Sequence, residues 1–162
     1  MPVFVTRPVT ATPSARYTQN DILAFMLEDT SLSAADKRKV NAVYKESGID
    51  FRHSVLDSFR NRSHFHQTNL TTTRQRMEVY SKEALNTGLR LMADLQTETL
   101  TDHGITMNEI THLIWVSCTG MTAPGIETEI LRRFPFHPSV QASAFNFMGC
   151  HGFFHALRFG SA

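Results

Sequence analysis

The order of apolar segments after residue 72 constrains the fold of this chain most strongly. Two segments are short, apolar and closed by polar residues or glycine, "LIWV" (113–116) and "VQASAFNFMG" (140–149). Short apolar runs of this kind are typical of parallel strands buried on both faces. Helical patterns at 72–100, 123–134 and 152–160 alternate with them. The order helix, strand, helix, strand, helix predicts an α/β fold with flanking helices and a mixed, mainly parallel sheet, with strands at 110–118 and 140–147.

The helix predicted over residues 72–100 contains a glycine on its apolar face. The residues at spacings of three and four are Met77, Tyr80, Ala84, Gly88, Leu91 and Leu95. A glycine inside a helix costs about 1 kcal/mol relative to alanine. We therefore expect another backbone to pack closely against Gly88. In the next predicted helix, we expect Pro124 to occupy the first turn, where its missing N–H does no harm.

The first seventy residues show weaker patterns. Residues 3–13 predict a strand that is interrupted by Pro8 and closed by Pro13. Two amphipathic helices follow, one with Thr18 or Asn20 as its cap and one that Ser33 caps and Gly48 ends. The first helix is predicted over residues 17–28 and the second over residues 33–48. The buried side of the first helix is predicted to consist of Ile22, Leu23, Phe25 and Met26. Residues 49–71 are predicted to be irregular.

Composition and charge exclude several classes of protein. The net charge is +1, from 16 basic and 15 acidic residues, so nothing indicates a nucleic acid or an anionic membrane as partner. No apolar run approaches the roughly 18–20 residues that span a bilayer, and the segment "MPVFVTRPVTATP" does not resemble a secretory signal. Two cysteines are too few for a disulfide framework, so we predict a reducing, cytoplasmic location.

The stretch "FNFMGCHGFFHALRFG" (145–160) places Cys150 where a strand meets a helix. Free N–H groups at a helix start carry partial positive charge and stabilise a thiolate. Gly149 and Gly152 permit a tight turn and leave room for a substrate near the sulfur. Such a thiolate can form a thioester with an acyl group. A buried structural cysteine is the alternative, and the local residues alone leave both possibilities open.

Histidines near this cysteine raise two further possibilities. His151 and His155 point about 100° and 140° away from Cys150 on a helix of 3.6 residues per turn, so we predict a structural or surface role for both. Their spacing of four also suits metal ligation. The chain has no C-x-x-C and no H-E-x-x-H motif, so we predict no metal and no cofactor, although zinc ligands are available in His53, His64, His66 and Cys118.

Four motifs occur in one order along the chain: "VTATP", "GIDFRHSVL", "THLIWVSCTGMTAPG" and "GCHGFFHALR". Together they resemble the N-terminal part of a type III polyketide synthase, the chalcone- and stilbene-synthase-like family of the thiolase fold. The resemblance runs from about Phe4 to Arg158. Its last two motifs are more similar to those of bacterial members than to those of plant members. It implies the N-terminal half of a thiolase-like layered fold, with residues 1–162 ending inside the helix that follows the nucleophile turn.

The resemblance also implies an activity. Cys150 matches the cysteine that receives an acyl group from acyl-CoA in this family, and malonyl-CoA is then decarboxylated so that its enolate attacks the thioester. The His and Asn that assist these steps belong to the C-terminal half, which residues 1–162 do not contain. We therefore expect the chain alone to be inactive, and the resemblance implies a homodimer.

Further site residues follow from the same resemblance. The acyl cavity is expected to be lined by Cys118, Thr119, Gly120 and Ala123, the last standing where plant members have Met. Lys39 matches one of the basic residues that hold the CoA phosphates. The other two positions are Ala42 and Glu46, for which Arg38, Lys45 or Arg52 could compensate.

Two alternatives belong to different classes. A ketoacyl-carrier-protein synthase III-like condensing enzyme would use the same nucleophile with an acyl-carrier protein as donor. A binding or dimerisation module that keeps half of the thiolase fold without turnover is the alternative outside enzymes, and the absent His and Asn favour it.

Overall fold

A computed structural model describes residues 5–56, 59 and 72–161 of the chain. The chain divides into two compact units, one formed by residues 12–72 and the other by residues 1–11 with 73–162. Every helix in the described ranges is too short or too polar to span a lipid bilayer.

The smaller unit contains a two-stranded antiparallel sheet and two helices. Strand β1 (Ala15–Thr18) pairs with β2 (Phe51–Ser54). Helices α1 (Gln19–Leu27) and α2 (Ala34–Glu46) lie between the two strands in sequence. Its core is formed by apolar side chains of β1 and α1, which are Tyr17, Ile22, Leu23 and Phe25. The sequence pattern of α1 predicts the burial of the last three. It also predicts a buried Met26, which is half-buried in the structure.

Both helices of this unit begin at their predicted caps. The Thr18 hydroxyl accepts a hydrogen bond of 3.0 Å from the Asp21 N–H, and the Thr18 N–H donates to the Asp21 carboxylate. The Ser33 hydroxyl accepts one of 3.1 Å from the Asp36 N–H. These oxygens satisfy N–H groups that a helix start leaves without partners. Helix α2 ends at Glu46 with Ser47 as its C-cap, and Gly48 follows with φ +65°, as the predicted end of the helix requires.

Two predictions for the smaller unit and its neighbours are wrong. Residues 5–13 form no strand, and Val5 is 86% exposed. Pro8 and Pro13 lack the N–H that a strand ladder needs, which accounts for the failure. Residues 51–54, predicted to be irregular, instead pair with residues 15–18. Residues 49–50, 55–56 and 59 of the same predicted segment lie in neither a helix nor a strand, and residues 57–58 and 60–71 lie outside the described residues.

The larger unit carries the predicted alternation. Helix α3 (Thr73–Asp94) continues into a π-helical turn, Leu95–Leu100, and a 3₁₀ turn, Met107–Glu109, leads into the sheet. Strand β3 (His112–Ser117), helix α4 (Ile126–Leu131), strand β4 (Gln141–Asn146) and helix α5 (Gly152–Gly160) follow. Strands β3 and β4 are parallel, with His112 opposite Gln141 and Ser117 opposite Asn146. The α/β alternation from residue 72 is confirmed.

Helices cover both faces of the β3–β4 pair. On one face, Trp115 and Ile130 approach Gly88 of α3, since a Cβ built at Gly88 would lie 3.2 Å from Cζ3 of Trp115 and from Cδ1 of Ile130. On the other face, Phe145 of β4 meets Phe159 of α5 with ring centroids 6.0 Å apart. Gly88 is close-packed as expected, but side chains rather than another backbone fill the space.

The approach to α4 differs from its prediction. The helix begins after Gly125, which is its N-cap residue, so Pro124 precedes the helix instead of occupying its first turn. Glu127 takes a first-turn position, and its carboxylate folds back over Gly125, where a Cβ would collide with it. The absence of a side chain on Gly125 is therefore what lets the carboxylate occupy that place.

Candidate active site

Cys150 lies in a 3₁₀ turn, Gly149–His151, between the carboxyl end of β4 and the start of α5. Its side chain is exposed and its thiol is free. The predicted position at a strand-to-helix junction is confirmed. An exposed thiol beside the first turn of a helix is accessible to an electrophile.

The backbone before Cys150 turns sharply through two left-handed residues. Gly149 has φ +60° and Phe147 has φ +61°. A Cβ at Gly149 would lie in open space, so a side chain would not clash there. The glycine is favoured at this position because it adopts the left-handed conformation without strain. Phe147 is not a glycine, yet its N–H donates a hydrogen bond of 3.1 Å to the Ser117 carbonyl, which links the ends of β3 and β4. No pattern in the sequence indicated a left-handed phenylalanine at this point.

Gly152 has a role different from the predicted one. A Cβ at Gly152 would lie 3.1 Å from Cγ1 of Val116, and the residue is buried. The missing side chain therefore lets α5 begin close against β3. The space beside Gly152 belongs to Val116 and is not left open for a substrate.

The rings of His151 and His155 contact each other. Their ring centroids are 4.6 Å apart with nearly perpendicular planes, and His155 stacks on Phe145 at 6.4 Å. These contacts support the predicted structural role. In the described ranges no group of three or more His, Cys, Asp or Glu side chains is arranged to hold a metal, and His64 and His66 lie outside those ranges.

Cys118 and Thr119 follow the carboxyl end of β3 and are both exposed. Because the strands are parallel and Ser117 lies opposite Asn146, these two residues reach the same edge of the sheet as Cys150. The structure thus brings three predicted site residues to one edge, which is where open α/β sheets place ligands.

Gly120 is buried behind this edge. Its N–H donates a hydrogen bond of 3.2 Å to the Ser117 hydroxyl, and the Tyr80 ring occupies the place that a Cβ would take. Ala123 is exposed on the loop that follows, and it borders a cavity on the α3 face of the sheet together with Tyr80. Tyr80 was predicted only as one member of an apolar helix face, so its role in shaping the 120–125 loop was missed.

Lys39 lies on α2 of the smaller unit. Its ammonium is 3.5 Å from the Asp36 carboxylate, one turn earlier on the same helix, and both side chains are exposed. Of the residues that could compensate for the missing basic positions, Arg52 is engaged: its Nε–H donates 2.7 Å to Gln19 Oε1, and its guanidinium lies 5.4 Å from the centre of the Tyr44 ring. Arg38 and Lys45 are exposed.

The sequence as a whole matches a known family. The family model for chalcone and stilbene synthases, N-terminal domain, matches residues 5–161. The chain belongs to this family. The match favours a type III polyketide synthase over the ketoacyl-carrier-protein synthase alternative.

Two curated relatives of the chain are named as polyketide or pyrone synthases. Pks18 of Mycobacterium tuberculosis, described as alpha-pyrone synthesis polyketide synthase-like, is 26% identical over 148 residues, which are 91% of this chain and 36% of Pks18. The acylalkylpyrone synthase csyB of Aspergillus oryzae is 25% identical over 126 residues, 78% of this chain and 30% of csyB. The chain thus spans about a third of the length of these curated relatives.

A solved structure shows the same fold. CsyB in complex with CoA-SH matches with a TM-score of 0.63 at 20% identity, over 93% of this chain and 40% of that one. The predicted thiolase-like architecture, limited to the N-terminal part, is confirmed at the level of the fold.

Proposed function

We propose that Cys150 is the acyl-carrying nucleophile of a type III polyketide synthase of which this chain is the N-terminal part. The observation that carries the proposal is the exposed thiol of Cys150 in the turn between β4 and α5. The resemblance to the family implies that this residue is the acyl-carrying cysteine. Structural cysteines are usually buried, whereas a nucleophile must be reachable.

The proposed first step is acyl transfer. The Cys150 thiolate attacks the carbonyl carbon of an acyl-CoA, the carbon–sulfur bond to CoA breaks, and the CoA thiolate leaves and takes up the proton lost by Cys150. In the second step malonyl-CoA loses carbon dioxide, and its enolate carbon attacks the thioester carbonyl. A carbon–carbon bond forms, the bond to Cys150 breaks, and a chain-extended β-ketoacyl-CoA is released.

The neighbouring site residues would shape and hold these substrates. Cys118 and Thr119 are exposed at the same sheet edge as Cys150, so we propose that they and Gly120 form a wall of the acyl cavity. Ala123 is proposed to extend that wall. The exposed ammonium of Lys39 is proposed to contact a CoA phosphate, and the CoA-SH complex of CsyB is consistent with CoA as ligand.

Product class and assembly are proposals on the same basis. Two relatives are named for pyrone synthesis, so an alpha-pyrone is the product that we propose to seek first. We propose a homodimer, and a cytoplasmic location stays a prediction from the cysteine content.

The acylation proposal is tested by mass spectrometry. The full-length protein is incubated with an acyl-CoA and digested, and the peptides containing Cys150 and Cys118 are compared. We expect the acyl mass on Cys150 in the unchanged protein and in Cys118→Ala, and no thioester in Cys150→Ala. Acylation of Cys118 that persists in Cys150→Ala would show that the assignment is wrong.

A further inference from the structure

Helix α5 runs back along strand β3, and its contacts show the direction. Near the end of the helix, the rings of Phe159 and His112 have centroids 6.0 Å apart. At its start, a Cβ built at Gly152 would lie 3.1 Å from Cγ1 of Val116. Residue numbers therefore fall along α5 as they rise along β3, so the two elements are antiparallel. The residues that precede Gly152 lie beside the residues that follow Val116.

One face of β3 supplies all of these contacts. Besides His112 and Val116, Ile114 approaches the helix, since its Cδ1 would lie 3.4 Å from a Cβ at Gly160. Every second residue of a strand points to the same face of the sheet. Cys118 directly follows β3 and is the next member of this row. The row therefore leads to Cys118 on the face of the sheet that α5 covers.

Cys150 approaches the same place from the helix. It precedes Gly152 by two residues, in the 3₁₀ turn that leads into α5. Two residues of a 3₁₀ turn advance about 4 Å, and two residues of a strand advance about 6.6 Å. Because α5 and β3 are antiparallel, both advances from the contact of Gly152 with Val116 point towards the carboxyl edge of the sheet. Cys150 and Cys118 therefore lie side by side at that edge.

The close approach of α5 to β3 favours a bond between the two sulfurs. A disulfide requires Cα atoms within about 7 Å of each other, so helix and strand must pack closely where it forms. Gly152 is buried and has no side chain to hold the helix away from Val116. Both cysteines are exposed, both thiols are free, and the sequence contains no other cysteine.

We propose that Cys118 and Cys150 form a reversible disulfide when the protein meets a peroxide. The bond removes the nucleophile and protects it from further oxidation. Disulfides in reducing compartments are usually transient and redox-sensing, which agrees with the predicted location. The loss of acylation rests on the proposed function of Cys150, whereas the formation of the bond does not.

The oxidation takes two steps. The Cys150 thiolate attacks one oxygen of hydrogen peroxide, the O–O bond breaks, and a sulfenic acid forms while the released hydroxide takes up the proton lost by Cys150. The Cys118 sulfur then attacks the sulfenic sulfur, the S–S bond forms, and the sulfenic hydroxyl leaves as water with the proton of Cys118. The two thiols together lose two electrons and two protons, and one peroxide becomes two waters.

Peptide mapping of the full-length protein tests the bond. The protein is treated with an equimolar amount of hydrogen peroxide, alkylated, and digested with trypsin without reduction. Cys118 falls in the tryptic peptide 91–132 and Cys150 in the peptide 134–158. We expect these two peptides to be joined after peroxide and to separate after dithiothreitol. Non-reducing electrophoresis should show a single-chain species, because the bond lies within one chain.

Acylation of Cys150 is the functional readout. We expect the acyl mass to be lost from Cys150 after peroxide and to return after dithiothreitol. If Cys150 is not acylated before oxidation, the proposed function is wrong, and the joined peptides still decide whether the bond forms.

The variant Cys118→Ala separates the two oxidation steps. Without the second thiol, the sulfenic acid of Cys150 persists, so we expect a dimedone adduct on the peptide 134–158. Excess peroxide should then convert Cys150 to sulfinic acid, which dithiothreitol does not reverse, whereas the unchanged protein should be protected. Unlinked peptides after peroxide, a disulfide between two chains, or equal sulfinic acid in both proteins would overturn the proposal.

Discussion

The indole Nε1–H of Trp115 donates a hydrogen bond of 3.2 Å to the hydroxyl oxygen of Tyr80 and thereby joins strand β3 to helix α3. The same Tyr80 ring fills the space beside Gly120, whose N–H is held by the Ser117 hydroxyl. One tyrosine therefore connects the long helix, the sheet and the loop that leads from Cys118 towards α4.

The first prediction concerns this hydrogen bond. Tyr80→Phe keeps the ring and removes the acceptor, so the partly buried indole N–H loses its partner. We expect the free energy of unfolding to fall by about 1–2 kcal/mol. Urea denaturation followed by circular dichroism measures it. The control is the double-mutant cycle with Trp115→Phe, in which Tyr80→Phe should cost almost nothing; an undiminished cost there would contradict the assigned role of the bond.

The second prediction concerns the contact between Tyr80 and Gly120. Gly120→Ala places a methyl group inside the Tyr80 ring, so the ring or the loop must move, and we expect a loss of about 1–3 kcal/mol. Gly160→Ala, in helix α5, is the matched control, because the new Cβ would make only an ordinary contact, 3.4 Å from Cδ1 of Ile114 in β3. We expect that variant to be neutral or slightly more stable. Equal effects of the two substitutions in thermal unfolding would disprove the prediction.

Local interactions explain what the sequence predicted well. The caps at Thr18 and Ser33 depend on residues three positions away, so their hydrogen bonds can be inferred from the sequence. The turn at Cys150 was predictable for a similar reason, because Gly149 supplies a left-handed conformation next to a helical pattern. The parallel strands were predictable because each is a short apolar run between helices.

Long-range interactions explain what was missed. Strand β1 exists because Ala15 pairs with Ser54, and no periodicity within either segment reveals a partner that distant in sequence. The left-handed Phe147 depends on a hydrogen bond to Ser117 in another strand. Glu127 and Asn146 border one cavity only because α4 packs against the sheet that contains β4, so no local pattern in the sequence reveals it.

The third prediction concerns pH and the turn before β3. Hydrogen bonds from the backbone N–H of Thr106 and then from its hydroxyl, both 2.8 Å, lower the pKa of Glu109 from its usual 4.5, while slight desolvation opposes them. Between the lowered folded value and the unfolded value, the unfolded chain binds more protons. The stabilisation by Glu109 is therefore complete above about pH 4.5 and is lost as the pH falls through its folded pKa.

Urea denaturation of the unchanged chain and of Glu109→Gln at a series of pH values tests this. We expect the stability difference between the two proteins to be largest near neutral pH and to shrink steadily below the usual pKa of 4.5. Thr106→Val removes only the hydroxyl donor and should reduce this pH dependence without abolishing it, because the backbone bond remains. A difference that stays constant with pH would contradict the prediction.

The fourth prediction concerns self-association. Helix α5 exposes a row of large apolar side chains, with Phe153, Phe154 and Leu157 between 49% and 64% exposed. Exposed apolar surface of this kind is typical of a protein–protein contact. We expect sedimentation equilibrium at micromolar concentration to give a dimer or larger species, and Phe154→Asp to shift it towards the monomer. Arg158→Ala changes an exposed residue of the same helix and is the control, which should leave the association unchanged. A monomeric unchanged chain would contradict the proposed homodimer.

The last prediction separates the nucleophile from the rest of the proposed catalytic machinery. Residues 1–162 contain Cys150 and its turn but not the His and Asn that the family resemblance implies, and His151 and His155 contact each other at 4.6 Å. Preorganised donors at a developing negative charge are commonly worth about 3–4 kcal/mol each, or roughly 100- to 1000-fold in rate. We therefore expect slow acylation of Cys150 and no decarboxylation of malonyl-CoA by this chain alone.

Release of labelled carbon dioxide from carboxyl-labelled malonyl-CoA measures the second reaction, with purified chain of verified mass. Cys150→Ala is the control for chemistry at the thiol, and Cys118→Ala is the control for the loss of a thiol at the same edge of the sheet. Carbon dioxide release by the unchanged chain above the level of Cys150→Ala would show that groups within residues 1–162 are sufficient. We expect the unchanged chain and Cys118→Ala to release no more carbon dioxide than Cys150→Ala, because decarboxylation needs the enolate charge to be stabilised. We also expect slow acylation of Cys150 in the unchanged chain and in Cys118→Ala, because attack on an acyl-CoA needs only an accessible thiolate.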